Sequence, residues 1–238
     1  FAEKLERLEQ PTDLIVLPEM FSTGFSMNPA KTAEPVNGPA LEFMQTHAAR
    51  TNAVITGSVA VTANGNYFNR LYWVNPDGTF LHYDKRHLFR MAAEDEKYTG
   101  GNASITPELK GWRIRPLICY DLRFPVWSRN RWNNETGKAD YDVLLYVANW
   151  PERRSPPWKS LLVARAIENQ SYVLGVNRVG EDGNGFDHSG DSAIIDFKGE
   201  YMAQGKPGVE ENVGAVLSYA ALADFRKGFP VGLDADGF

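Results

Sequence analysis

A chain of 238 residues with 43% hydrophobic and 12% aromatic content is long enough to bury one large core and too short for two, so a single domain over residues 1–238 is expected. Its 25 basic and 30 acidic residues leave a formal charge of -5, which argues against nucleic acid as a partner, and no apolar run approaches the roughly 20 residues needed to cross a bilayer, so no membrane partner and a cytoplasmic setting are expected. The single cysteine, Cys119, excludes an internal disulfide and leaves two readings, a small core residue or a thiol kept for its chemistry.

Phe1, Leu5 and Leu8 fall at helical spacing, as though the chain opens inside an amphipathic helix with residues missing upstream. The apolar run Asp13–Leu17 ends at Pro18 and predicts a strand buried on both faces, which leaves Glu19 just beyond a strand end. Pro39–Arg50 carries Leu41, Phe43, Met44 and Ala48 near helical spacing, and Ala53–Val61 returns to β-type residues. Tyr67–Val74 and Thr79–Tyr83 flank Asn75-Pro76-Asp77-Gly78, whose proline and glycine suit a type I turn, so a hairpin is predicted. Ile114–Cys119 is the next strand, and Pro125 is placed for the first turn of a helix running through Trp132. Tyr141–Ala148 reads as strand, Pro157–Gln170 as helix and Tyr172–Val179 as strand. Ser192–Phe197 and Glu200–Ala203 bracket Lys198-Gly199 as a second hairpin, with a final strand at Val213–Leu217. Strands alternating with helices and interrupted by hairpins imply an α/β domain of mixed sheets with helices packed on them.

Three chemistry-bearing residues stand at strand ends or just after them: Glu19, Lys85 and Cys119. In α/β folds such positions converge on one rim of the sheet. Unpaired N–H groups after the strand and a nearby lysine are expected to lower the thiol pKa, and a carboxylate within hydrogen-bond reach supplies a base. The three types form a nucleophilic set without histidine. Each alone is ordinary: a cysteine at an apolar strand end is mostly core filler, a glutamate caps a loop and a lysine is solvated. Their conjunction is what points to chemistry.

Leu17-Pro18-Glu19-Met20 is similar to the base motif of the nitrilase superfamily, Tyr83-Asp84-Lys85-Arg86-His87-Leu88-Phe89 to its lysine motif, and Ile118-Cys119-Tyr120-Asp121-Leu122-Arg123-Phe124-Pro125 to its nucleophile motif. The resemblance continues through Ala148-Asn149-Trp150-Pro151, Ala164–Gln170 and Gly190-Asp191-Ser192, nearly the whole chain. It implies an α-β-β-α sandwich in which a cysteine attacks an amide or related carbon–nitrogen bond, giving a thioester that water hydrolyses. It makes Cys119 the nucleophile, Glu19 the general base, and Lys85 with the backbone N–H of Tyr120 the oxyanion donors. The family's second glutamate is matched by Glu94, with Glu96 also open. The resemblance implies no cofactor, a small-molecule amide substrate, and a homodimer or larger even-numbered assembly. Family members pair through the helices after the nucleophile and the Ala164–Gln170 region; Phe124, Trp127, Arg131 and Trp132 suit such an interface or the domain's own core. Members also begin with a strand upstream of the helix that opens here at Phe1. That strand is expected to be missing, and a real absence would favour a catalytically silent interaction protein.

Phe21–Met27, taken with the lysine and nucleophile motifs, resembles the omega-amidase branch, which deamidates 2-oxoglutaramate and 2-oxosuccinamate. A nitrilase, an N-carbamoyl hydrolase or another short-amide amidase are the alternatives. A net-acidic protein does not attract a substrate carboxylate by its overall field, so a local cation must. Arg123, four residues after Cys119, and Arg153 or Arg154, just beyond Trp150, are the candidates, with pairing of Arg123 to Asp121 an equal reading. Phe25 and Trp150 either line the pocket or simply pack. His82, Asp84 and His87 invite a zinc reading, but short polar clusters on hairpins are usually solvated and no metal is expected. Glu181–Asp187 faintly resembles a calcium loop without its closing glutamate and is expected to be a flexible rim loop.

Overall fold

In the computed structural model, which describes residues 1–6, 8, 11–133 and 135–236, side-chain alternation sets the layers. Along the strands Val54–Ala63 and Asn66–Val74, Val54, Leu71 and Trp73 enter one apolar cluster with Ile114, Leu117 and Leu145 of a second sheet. Their neighbours Ile55, Tyr72 and Val74 enter another with Leu41, Met44 and Ala48 of the helix Pro39–Thr51. Successive residues of a strand face opposite ways. The first sheet therefore packs on its partner sheet with one face and on a helix with the other. On the second sheet, the helix Ser155–Asn169 approaches so closely that a Cβ on Gly175 would lie 2.5 Å from Leu162 Cδ1. The layers run helix, sheet, sheet, helix, the expected α-β-β-α sandwich.

The first sheet orders Leu14–Val16, Val54–Ala63, Asn66–Val74 and Phe80–Asp84, with the short Glu34–Pro35 also on Val54–Ala63. The second orders Tyr201–Gln204, Ala193–Ile195, Tyr172–Asn177, Val143–Ala148, Trp112–Ile118 and Glu108–Leu109. Leu14–Val16 is parallel to Val54–Ala63, and Val143–Ala148 to both its neighbours, among otherwise largely antiparallel pairs. Both expected hairpins form: the Gly78 N–H donates to Asn75 O and the Gly199 N–H to Asp196 O, each at 2.9 Å. A third turn, Asn64-Gly65, has positive φ at both residues, the geometry that matches strand twist.

Three expected elements differ. The helix from Pro125 ends at Ser128 because buried Asn130 holds the chain extended: its N–H donates to Asn169 Oδ1 at 2.9 Å and its Nδ2 to Tyr141 O at 2.9 Å. Trp132 then lies in a two-residue strand, Trp132–Asn133. The strand from Tyr172 stops at Asn177, with Val179 bridging only to Ser189. Val213–Leu217 forms no ladder among the described residues; Gly214 interrupts it and Val216 is 91% exposed. The opening helix spans Ala2–Glu6 and buries Leu5. Among the described residues no helix is long and apolar enough to cross a membrane.

Candidate active site

Strand direction gathers the chemistry on one edge. Trp112–Ile118 and Val143–Ala148 are parallel, so Cys119 and Asn149 follow their C-terminal ends side by side. On the facing sheet Leu14–Val16 leads to Glu19, and Phe80–Asp84, two antiparallel steps from Val54–Ala63, ends in the same direction at Lys85. The helix Glu94–Lys97 begins with Glu94.

Glu19, Lys85 and Glu94 are each at most 1% exposed. Lys85 Nζ donates to Glu19 Oε1 at 2.9 Å and to Glu94 Oε1 and Oε2 at 3.0 and 2.9 Å. Glu94 Oε2 also accepts from the Phe89 N–H at 2.6 Å, whereas Glu96 is exposed, so Glu94 is the second glutamate of the cluster. Two residues of unassigned role complete the shell. Asn69 Nδ2 donates to Glu19 Oε1 at 2.8 Å, and the Asn149 N–H to Glu19 Oε2 at 2.9 Å, while the Asn149 side chain reaches the Glu19 carbonyl. Asn149 lies inside a recognised motif; Asn69, mid-strand, gives no signal in the sequence.

Cys119 sits at φ 43, in the left-handed region that non-glycine residues rarely adopt. It opens the 3₁₀ turn Cys119–Arg123 directly after the strand. Buried Asp121 holds that turn: its carboxylate accepts from the Ile118 N–H at 3.0 Å, the Tyr83 hydroxyl at 2.7 Å and the His87 N–H at 3.0 Å. The Cys119 turn is thereby tied to the loop carrying Lys85. The alternative pairing of Arg123 with Asp121 does not occur, because Asp121 is fully engaged inward.

Burial and the adjacent Glu19 carboxylate push the Cys119 thiol well above the ordinary cysteine range, with Lys85 opposing. The expected net lowering is therefore corrected: desolvation outweighs the lysine, and the thiol rests protonated beside a carboxylate. Burial works against the Lys85 ammonium, but Glu19 and Glu94 outweigh it and hold its pKa above the usual lysine value. Burial raises Glu94, partly offset by Lys85.

The cluster opens into a pocket of about 210 Å³ lined by Cys119, Tyr120, Phe25, Trp150 and all three candidate arginines. The Arg123 guanidinium lies 5.0 Å from the Trp150 ring centre, Arg154 5.1 Å from Phe89 and Arg153 4.5 Å from Phe186. No ion pair to any of the three occurs among the described residues. Asp182, Asn184 and Phe186 of the 181–187 loop complete the rim. The zinc candidates separate: His82 is exposed, Asp84 pairs with Arg70 at 2.7 Å, and His87 faces Asp121 while stacking on Phe124 at 3.7 Å. Of the interface candidates, Phe124 and Trp127 pack around His87, and Trp132 lies against Arg226, while Arg131 is exposed.

The carbon-nitrogen hydrolase family matches residues 3–225 of the chain. The chain is 50% identical over 234 residues to omega-amidase YafV of Yersinia enterocolitica, which covers 98% of this chain and 88% of that protein. It is 35% identical over 231 residues to 2-oxoglutaramate amidase of Bacillus subtilis, covering 95% and 86%. A CN-hydrolase superfamily protein of Xanthomonas campestris, whose crystal structure carries an arsenic adduct in the active site, matches with a TM-score of 0.95 at 48% identity. That match covers 100% of this chain and 89% of the other.

Proposed function

The chain belongs to the carbon–nitrogen hydrolase family, and we propose that it is a cysteine-dependent omega-amidase that releases ammonia from short carboxylate-bearing amides such as 2-oxoglutaramate and 2-oxosuccinamate. It is an amide-hydrolysing enzyme acting on carbon–nitrogen bonds other than peptide bonds, which sets aside a silent interaction protein. The observation that carries the mechanism is the Glu19 carboxylate held between Lys85 and the Cys119 thiol.

In this reading the Cys119 sulfur attacks the amide carbon while its proton passes to Glu19. Negative charge gathers on the former carbonyl oxygen, where Lys85 Nζ and the Tyr120 N–H stabilise it; one such donor contributes roughly 3–4 kcal/mol to the transition state. Collapse breaks the carbon–nitrogen bond, and Glu19 returns the proton to departing ammonia. The thioester then meets a water that Glu19 deprotonates, and a second collapse frees the acid and the thiol. Glu94 steadies the Lys85 ammonium. At the far end of the substrate, the unpaired guanidiniums of Arg123, Arg153 and Arg154 supply the cation that the net charge of -5 does not. Relatives named omega-amidase and 2-oxoglutaramate amidase support this substrate class. The setting is a reducing cytoplasm, which keeps a lone nucleophilic thiol free, and the assembly is a homodimer or larger even-numbered oligomer, checked by sedimentation across concentrations.

The test compares kcat/KM for 2-oxoglutaramate with that for a neutral amide of matched length, in wild type and in Arg123→Ala, Arg153→Ala and Arg154→Ala. The carboxylate-bearing amide is expected to win, and at least one arginine change to shrink its advantage about tenfold or more, the loss of a charged hydrogen bond. Equal rates for both amides, or a ratio that no arginine change moves, would sink the omega-amidase reading.

A further inference from the structure

We propose that Asn69 is a positioning residue of the hydrolytic site: its side-chain amide bridges the Glu19 and Glu94 carboxylates, fixes the orientation of Glu19 and leaves its second oxygen to receive the Cys119 proton. The proposal rests on the cysteine mechanism above and not on the identity of the amide.

Asn69 stands within the strand Asn66–Val74 and is completely buried. Its Nδ2 donates to Glu19 Oε1 at 2.8 Å and to Glu94 Oε1 at 3.3 Å, and its main-chain carbonyl accepts from the Lys85 N–H at 2.9 Å. One residue thus touches three members of the cluster. Its Oδ1 is buried without a hydrogen-bond partner among the described residues. A buried unsatisfied acceptor is unfavourable, so packing alone would favour an apolar side chain here. What recommends the amide is the work of its N–H group.

That work follows from charge. The groups facing Glu19 are the Lys85 ammonium, the Glu94 carboxylate, the Cys119 thiol and the Tyr98 phenol, with Arg154 beyond Cys119. Two carboxylates share one ammonium in a dry site, so each needs hydrogen bonds besides the ion pair. A neutral amide donates to both without adding charge. Direction matters as well. Glu19 Oε1 already accepts from Lys85 and Asn69, whereas among the described residues Oε2 accepts from the Asn149 N–H alone, so Oε2 retains capacity for the thiol proton.

The test uses Asn69→Leu, which keeps volume and removes the donor, and Asn69→Asp, which keeps shape and replaces the donor by an acidic group. Melting curves establish that each variant is folded, and if the leucine variant fails to fold the aspartate variant decides. Two readouts apply: steady-state turnover, and the pH dependence of Cys119 alkylation by iodoacetamide, which needs no substrate. We expect kcat to fall roughly tenfold or more with KM within about twofold, as for loss of a hydrogen bond to a charged group. The rate of alkylation should fall by a similar factor across the pH range, because the base is no longer aimed at the thiol. A folded variant with the wild-type alkylation profile, or a change in KM alone, would overturn the proposal. Failure of wild type to prefer 2-oxoglutaramate would sink the substrate reading and leave the alkylation result standing.

Discussion

A thiol that rests protonated beside a buried carboxylate is a nucleophile only while that carboxylate can take its proton. Cys119→Ala should therefore abolish turnover while leaving the melting curve nearly unchanged, since only a small volume is removed. Glu19→Gln and Lys85→Ala should each slow turnover about 100-fold or more. The lysine change should also destabilise by about 3–5 kcal/mol in urea unfolding, because it strands two buried carboxylates; near-normal rates in either variant would reassign that residue. These three residues were legible because each follows a strand and each carries chemistry by type. Glu94 was legible only to within two residues, since about half a helical turn separates the buried carboxylate from exposed Glu96. Asn69 was not legible at all. A neutral donor to a carboxylate 50 residues away is defined by space, not by pattern.

Between the residues and the sandwich, one carboxylate couples two elements. Asp121 joins the end of the strand Trp112–Ile118 to the loop after Phe80–Asp84 by accepting from two backbone N–H groups and the Tyr83 hydroxyl. Asp121→Ala leaves those donors buried and unmatched, and should lower stability by about 3 kcal/mol or more, seen as a lower urea midpoint. Turnover should fall with it, since the Cys119 turn loses its tether; an unchanged midpoint and rate would show that the turn holds itself. The strands with strong apolar runs and the two glycine turns were readable because their signals are local. The short helix from Pro125 was over-read, because the Asn130 side chain that ends it bonds to Asn169, 39 residues away. Val213–Leu217 has strand-like composition without a neighbour to pair with among the described residues, and composition does not supply a neighbour.

For the molecule as a whole, alternation revealed mixed sheets with helices, but only the family resemblance supplied the order of layers, since a period of two does not say which sheet a face meets. Burial of tyrosines between those layers sets an alkaline limit. Burial raises Tyr98 to about 12, and Tyr83 and Tyr141 move in the same direction. Unfolded tyrosines titrate near about 10. With the folded value above the unfolded one, this contribution is fully present below about pH 10 and is lost as pH rises through 12. Melting temperatures should fall over that window, and a flat profile there would contradict it. The two carboxylates that share one ammonium have a consequence for reversibility. Hydrolysis turns an uncharged amide end into a carboxylate, born against a cluster that already carries an excess negative charge. Repulsion then favours departure of the acid and opposes the return reaction. Inhibition by added product should accordingly weaken as pH rises from about 3 to 6, through the carboxylic range, and a pH-independent inhibition constant would remove this electrostatic ejection.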